Sequence, residues 1–214
     1  MLLSLAFTSP LLFIAILLAI VIALTFHEYA HAYVAYRLGD PTADRMGRMT
    51  LNPMSHIDPV GFLMILVAGF GYARPVPFNP LFLRHKKRDP VLIGFAGPAA
   101  NMIMATVFVL ALKYLAPSLG GSNLLVSFLF FAAYINVNLA IFNLIPVPPL
   151  DGSKALLVFL QGPKWTNLRI ALETRGPIIL LTLIIIDSIG GIGLFSRLFN
   201  FFGRGYFSLF GVAI

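Results

Sequence analysis

Two histidines and a glutamate lie within one long apolar stretch of the sequence, at His27, Glu28 and His31. His27 and His31 are four residues apart, so on an α-helix both imidazoles project from one face, one turn apart. That spacing lets both rings bind one metal ion at about 2.0–2.1 Å per nitrogen. Glu28 points about 100° further around the helix, where its carboxylate is placed to hydrogen-bond a metal-bound water. The pattern H-E-x-x-H therefore predicts a hydrolytic zinc site.

A catalytic zinc needs a third protein ligand and keeps one position for water. The chain has eight acidic residues, and Asp151 stands out because it lies between a proline-broken loop and a new apolar helix, in "NLIPVPPLDGSKALLVFL". Its alternative role is to cap that helix, which is a common use of Asp. For His27 and His31 the alternative is a buried, hydrogen-bonded pair, but that interpretation leaves Glu28 unexplained. Cysteine is absent, which removes thiolate ligands and disulfides.

The elements that position these residues are predicted to be membrane helices. Hydrophobic residues make up 59% of the 214-residue chain and charged residues 11%, against about 25% charged in soluble domains. The sequence therefore predicts an all-α polytopic membrane protein with about four transmembrane helices, at 11–36, 91–115, 124–145 and 177–195. The apolar run 60–72 is too short for an upright span, so we expect a re-entrant or interfacial segment. The tail 196–214 mixes aromatic and basic residues, as interfacial segments do.

The basic residues predict the topology. With residues 60–72 returning to their starting side, 12 of the 15 Lys and Arg residues share one face, which the positive-inside rule makes cytoplasmic. The N-terminus is then outside, and His27 and His31 lie in the cytoplasmic third of the membrane. This topology accounts for the net charge of +7 without nucleic acid as a partner.

Two segments, "HEYAH" and "NLIPVPPLDG", resemble the two signatures of the site-2 protease family, the zinc intramembrane metalloproteases. "NPMSHIDPVG", "ARPVPFNP" and "GFAGPAANM" also resemble family segments in the expected order, so the resemblance covers about residues 20–160. It implies one zinc ion per chain and assigns five residues. The implied zinc ligands are His27, His31 and Asp151, the catalytic acid/base is Glu28, and Asn143 holds the substrate or its oxyanion.

The resemblance also sets the expected organisation and activity. No PDZ or CBS domain is seen, so we expect a minimal, single membrane-embedded domain over 1–214, with a core at about 11–160, an extra helix at 177–195 and the tail 196–214. The expected substrate is a transmembrane helix in the plasma membrane bilayer, which must unwind before cleavage because its backbone is hydrogen-bonded. The oligomeric state stays open.

Two other functions compete with intramembrane proteolysis as interpretations of this sequence. One is a catalytically silent membrane binding protein of the same fold, which would be free to lose Glu28. The other is a metal transporter, but transporters tend to show repeated halves with paired broken helices, and neither is visible here.

Other polar residues receive weaker interpretations. "GYARPVPFNP" is predicted to be extended, either holding unwound substrate as an added strand or forming an ordinary loop. His56 and Asp58 are expected in a turn or cap, with an approach to the zinc as the alternative. Asn101 is expected to form an interhelical hydrogen bond, with a position facing the site as the alternative. Asp187 is expected to pair with Arg197.

Overall fold

The computed structural model describes residues 2–212, and across that range it contains α-helices and no β-strand. This result confirms the predicted all-α class. The helices described are α1 (Leu2–Thr8), α2 (Pro10–Arg37), α3 (Thr42–Arg45), α4 (Pro59–Ala68), α5 (Arg88–Leu119), α6 (Leu124–Asn143), α7 (Gly152–Phe159), α8 (Thr166–Gly190) and α9 (Leu194–Leu209). Single 3₁₀ turns lie at Pro53–Ser55 and Pro163–Trp165.

Helices α2, α5 and α6 form the centre of the fold. Each is long and apolar enough to cross a membrane, which confirms three of the predicted spans. All three pack against one another. Their contact faces carry alanines with no exposed surface, including Ala19, Ala23, Ala105, Ala132 and Ala140. Small residues let helix backbones approach closely in lipid, where the hydrophobic effect does not drive helices together.

The short apolar run after the first span contains α4. Asp58 begins this helix by accepting hydrogen bonds from the backbone N–H groups of Val60 at 3.0 Å and Gly61 at 2.9 Å, which confirms its predicted cap role. Gly69 ends it with a left-handed φ of 78°. Ten residues of helix extend about 15 Å, half the thickness of the hydrocarbon core. The helix is therefore too short to cross the membrane upright, as predicted.

The C-terminal part contains the helices α8 and α9, which together reach the length and hydropathy of a membrane span. The chain bends by 92° at the break between them. Helix α9 lies antiparallel along α6. Its first turn places Phe195 6.0 Å from Phe142, ring to ring, and its last turn places Phe207 5.6 Å from Phe130. Because the bend is near a right angle, α8 and α9 cannot both follow the membrane normal. The predicted fourth span, 177–195, covers the C-terminal half of α8 and continues through the bend to the start of α9, and it stays a prediction.

Asp187 stabilises this bend. Its two carboxylate oxygens accept hydrogen bonds from the backbone N–H groups of Leu194 and Phe195. These groups lie in the first turn of α9, where backbone donors have no partner within the helix. The predicted pairing of Asp187 with Arg197 is therefore wrong, because the helix N-terminus occupies the carboxylate.

Replacing Phe207 by Ala should destabilise the helix bundle. Phe207 is fully buried between α5 and α6, so truncation leaves a cavity that costs about 3–5 kcal/mol. Thermal unfolding in detergent should show a melting temperature lowered by several degrees. Phe201→Ala is the matched control, because Phe201 is 73% exposed on the same helix. Equal melting temperatures for the two variants would contradict the packing of α9 on α6.

Candidate metal centre

Three candidate ligand atoms converge at the contact of α2, α5 and the start of α7. The Nε2 atoms of His27 and His31 are 3.0 Å apart, and each lies 3.1 Å from Oδ2 of Asp151. All three residues are buried, with at most 7% of their surface exposed. These three are the one group of His and acidic residues in the described range whose donor atoms meet in this way.

The hydrogen-bond partners of the two histidines determine which nitrogen faces the centre. Nδ1 of His27 lies 2.6 Å from the side-chain oxygen of Asn101, and Nδ1 of His31 lies 2.6 Å from the backbone carbonyl of Ile93. Both partners are acceptors, so each Nδ1 carries a proton and donates. A neutral imidazole in this tautomer has its lone pair on Nε2. Two nitrogen lone pairs and a carboxylate oxygen therefore face one another across about 3 Å.

Asn101 fixes the orientation of the first ring from α5. Its side-chain nitrogen donates to the carbonyl of Ala23 at 3.1 Å and to the side-chain oxygen of Asn136 at 2.8 Å. These two bonds leave the amide oxygen as the atom that faces His27. Asn101 thus makes the expected interhelical hydrogen bonds and also faces the site. Sequence reasoning missed the contact with His27 because 74 residues separate the two.

The loop between α6 and α7 positions Asp151. The loop turns through Val147 and the cis Pro148–Pro149 peptide, and the N–H of Leu150 donates to the carbonyl of Val147 at 2.9 Å. Asp151 occupies the cap position of α7, yet its side chain makes no capping hydrogen bond. The alternative of a simple helix cap is therefore wrong. Oδ2 of the carboxylate instead faces the two Nε2 atoms at 3.1 Å, and Oδ1 accepts a hydrogen bond from Lys154.

The donor set fits a zinc ion. Tetrahedral zinc about 2.0–2.1 Å from each ligand holds the ligand atoms about 3.3 Å apart, close to the observed triangle. Two neutral imidazoles and one carboxylate are typical zinc ligands, and they leave one of four positions open. Gly97 provides the space, because a Cβ built there would lie 2.6 Å from Nε2 of His27.

Glu28 follows the first histidine and is also buried, at 7% exposure. One of its carboxylate oxygens accepts a hydrogen bond of 3.1 Å from the backbone N–H of Val76. Val76 belongs to residues 72–79, an irregular segment without helix or strand that we call the strap. The strap therefore lies against the carboxylate that H-E-x-x-H assigns to proton transfer.

Buried side chains hold the strap in place. Arg48 donates to the backbone carbonyl of Arg74 at 2.6 Å, and the N–H of Arg74 donates to the carbonyl of His56 at 2.8 Å. Burial lowers the pKa of Arg48, as does the charge of Arg74, while the charge of Glu28 acts in the opposite direction. The side chain of His56 donates to the backbone carbonyl of Thr50 at 2.8 Å. This hydrogen bond stabilises a turn, which is the role predicted for His56.

These contacts leave the strap little capacity to pair with a substrate strand. The N–H groups of Arg74, Val76 and Asn79 are bound to His56, Glu28 and Asp40. Pro75 and Pro77 have no N–H at all. Strand addition by this segment, one of the two predicted interpretations, is therefore not supported in this conformation.

Asn143 is a predicted site residue that makes no described hydrogen bond with His27, Glu28, His31 or Asp151. It is the last residue of α6, and its side-chain amide donates to the carbonyl of Leu139 in the same helix at 3.0 Å. Among residues 2–212 no hydrogen bond joins it to the candidate ligands. Its role stays a prediction.

Comparisons with known proteins point to a metallopeptidase. The family model described as "Peptidase family M50" matches residues 15–120 and 118–183. "Putative zinc metalloprotease YwhC" of Bacillus subtilis (strain 168) is 43% identical over 150 residues, which cover 66% of this chain and 67% of the relative. "Putative zinc metalloprotease MJ0611" of Methanocaldococcus jannaschii is 32% identical over 150 residues, which cover 69% and 72%.

A mycobacterial relative is longer. "Putative zinc metalloprotease Rip2" of Mycolicibacterium smegmatis is 29% identical over 153 residues, covering 67% of this chain. The chain thus spans little more than half of that relative, 56% of its length. No solved structure matches the chain.

Replacing Gly97 by Ala should abolish stable zinc binding. The added methyl group would collide with both imidazoles, so the ligand atoms must separate. We expect purified Gly97→Ala to contain less than about a tenth of the wild-type zinc, measured by inductively coupled plasma mass spectrometry. Gly121→Ala is the control, because no atom lies within 4 Å of a Cβ at that position. Full zinc occupancy in Gly97→Ala would contradict the site geometry.

Replacing Asn101 by Leu should weaken zinc binding without removing a ligand. The change leaves the Nδ1 proton of His27 without its acceptor, and loss of such an outer partner costs about 10–100-fold in metal affinity. Competition with a zinc chelator measures the change. Asn200→Leu, which alters an exposed residue of α9 bonded to Tyr134, should keep the wild-type affinity. Equal affinities of both variants would show that Asn101 serves helix packing alone.

Proposed function

Since the chain belongs to peptidase family M50, the site-2 proteases, and is thereby a zinc metalloprotease with several membrane-crossing helices, we propose that it is an intramembrane endopeptidase. Its substrates are membrane proteins, cut within or near a transmembrane helix. The products of such a reaction leave the bilayer, so the proposed activity is regulated release of membrane-tethered segments.

The observation that carries this proposal is the position of the ligand set. His27 and His31 lie inside α2, which is one of the helices able to cross the membrane, and both are buried against α5. Ionisable groups at membrane depth are costly and mark function. A buried zinc-ligand set within a spanning helix fits a protease whose peptide substrate also lies in the membrane.

We assign the metal ligands to His27, His31 and Asp151, and the proton transfers to Glu28. Zinc supplies Lewis-acid chemistry when bound, since it polarises a peptide carbonyl and makes water easier to deprotonate. Glu28 accepts the proton from the attacking water and later gives it to the leaving amine. Its carboxylate must first exchange the hydrogen bond from Val76 for one from water.

Asn143 is proposed as the neutral donor that stabilises the oxyanion. A side-chain amide supplies a hydrogen bond without adding charge to a low-dielectric site. In this structure the amide donates to Leu139, so the role requires a change of rotamer when substrate is bound.

The proposed topology places this chemistry near the cytoplasm. His27 lies 17 residues after the start of α2 at Pro10, which is about 26 Å along the helix axis. With the basic loops on the cytoplasmic side of the plasma membrane, the N-terminus lies outside and the ligand set lies in the cytoplasmic third. Water then reaches the site over a short distance from the cytoplasm.

The substrate helix must unwind before cleavage, because its carbonyls are hydrogen-bonded within the helix. The strap covers Glu28 in the described conformation. We propose that an entering substrate displaces the N–H of Val76 from the carboxylate. An exposed extended backbone would compete for this position more effectively than an intact helix.

The two other functions fit these contacts less well. A silent binding protein would have no use for a buried Glu28 beside the metal ligands. A metal transporter needs its ion to leave along a polar path. Here each histidine is fixed by a hydrogen bond from its Nδ1, which favours a resident ion.

Glu28→Gln should bind zinc and fail to cut. Gln keeps an oxygen that accepts the Val76 hydrogen bond but cannot take a proton, so cleavage should fall at least about 100-fold. The assay measures cleavage of a single-span substrate in detergent, together with zinc per chain. Glu173→Gln is the matched control, because Glu173 is half-exposed and pairs with Arg169 away from the ligands. Wild-type cleavage by Glu28→Gln would overturn the proposed role, and zinc-loaded wild type without any cleavage would favour the silent binding protein.

A further inference from the structure

Lys154 contacts the carboxylate of Asp151 from the side opposite to the histidines. Its ammonium nitrogen donates to Oδ1 of Asp151 at 2.8 Å, while Oδ2 of the same carboxylate faces His27 and His31 at 3.1 Å. The two oxygens of Asp151 therefore have different partners. One oxygen faces the ligand cluster and the other is occupied by a cation of the protein.

The fold provides a place for the Lys154 side chain. Lys154 lies three residues after Asp151, in the first turn of α7. Residues three apart lie on the same side of a helix, so both side chains point the same way. A Cβ built on Gly94 of α5 would lie 2.8 Å from Cδ of Lys154, so the missing side chain at Gly94 makes room for the lysine. The ring of Phe78 in the strap lies 5.9 Å from the ammonium nitrogen. Three elements thus hold this side chain against the carboxylate.

Lys154 also separates the carboxylate from a water-accessible cavity. The cavity has a volume of about 380 Å³ and lies between the strap, α7 and the start of α8. The Lys154 side chain is 27% exposed, while that of Asp151 is 10% exposed. Arg169 on the cavity wall is paired with Glu173. The Lys154 side chain therefore lines the cavity on one side and contacts the buried carboxylate on the other.

We propose that Lys154 is a positioning residue that makes Asp151 a one-oxygen ligand. This inference rests on the proposed zinc site and concerns how the chain presents its carboxylate. A free carboxylate binds metal through one oxygen or both, and binding through both fills a coordination position. Because Lys154 donates a hydrogen bond to Oδ1, only Oδ2 of the Asp151 carboxylate is directed at the metal. The fourth position of the tetrahedral site then stays open for water or substrate.

The test uses Co²⁺ as the probe in the purified full chain, because the intensity of its visible absorption falls as the coordination number rises. Lys154→Met removes the charge and keeps a long apolar side chain. We expect its Co²⁺ absorption at saturation to fall by about half, and its Co²⁺ and Zn²⁺ affinities to fall about tenfold. Lys154→Arg keeps a donor to Oδ1 and should retain the wild-type spectrum. Lys164→Met is the matched control, since Lys164 is exposed and lies near Trp165.

The outcomes separate this inference from the proposed function. If wild type binds no Co²⁺ or Zn²⁺, the ligand set itself is wrong and both proposals fail. If wild type binds metal and Lys154→Met shows the same spectrum and affinity, the positioning role alone is overturned. Melting temperatures of all variants check folding, and Lys154→Gln replaces Lys154→Met if the latter is unfolded. A changed spectrum in Lys154→Met, with wild-type behaviour in Lys164→Met, supports the proposal.

Discussion

The structure depends on three electron-pair donors held within about 3 Å of one another inside a membrane protein. Nε2 of His27, Nε2 of His31 and Oδ2 of Asp151 form a triangle with edges of 3.0–3.1 Å. Both Nδ1 atoms are occupied as donors, so the lone pairs of the two Nε2 atoms point inward. Such lone pairs repel one another unless a cation lies between them. A cation bound between the three atoms attracts all of their lone pairs, so the arrangement becomes favourable.

The packing of α5 on α2 determines this geometry. One face of α5 supplies the space at Gly97, the amide of Asn101 and the carbonyl of Ile93. The third candidate ligand, Asp151, comes from a loop that follows α6, and Lys154 donates a hydrogen bond to its outer oxygen. Because the partners of both histidines lie on another helix, helix packing determines the direction of the candidate ligand atoms. A change in how α5 or α6 packs therefore alters the direction of the ligands.

Local patterns were sufficient to predict the ligand candidates and three spans, because helical periodicity and hydropathy are properties of neighbouring residues. They were not sufficient for Asn101, whose bond to His27 joins residues 74 positions apart. The fourth span, 177–195, stays a prediction, because apolar residues continue through the glycine-containing bend between α8 and α9 and hydropathy alone does not place a span there. For the strap, the sequence left a substrate-binding strand and an ordinary loop as alternatives. The strap's donors proved to be used by Glu28 and other buried groups, which no short-range pattern indicates.

The measurement that tests the central claim most directly is X-ray absorption spectroscopy at the zinc edge on the purified wild-type chain. The account predicts one zinc per chain with four nitrogen or oxygen neighbours at about 2.0–2.1 Å, and multiple scattering from two imidazoles. Asp151→Asn should keep the two-imidazole signal while the shell of light neighbours changes. A spectrum with one imidazole or none, or wild-type protein that holds no zinc, would contradict the convergence of His27, His31 and Asp151 on a metal ion.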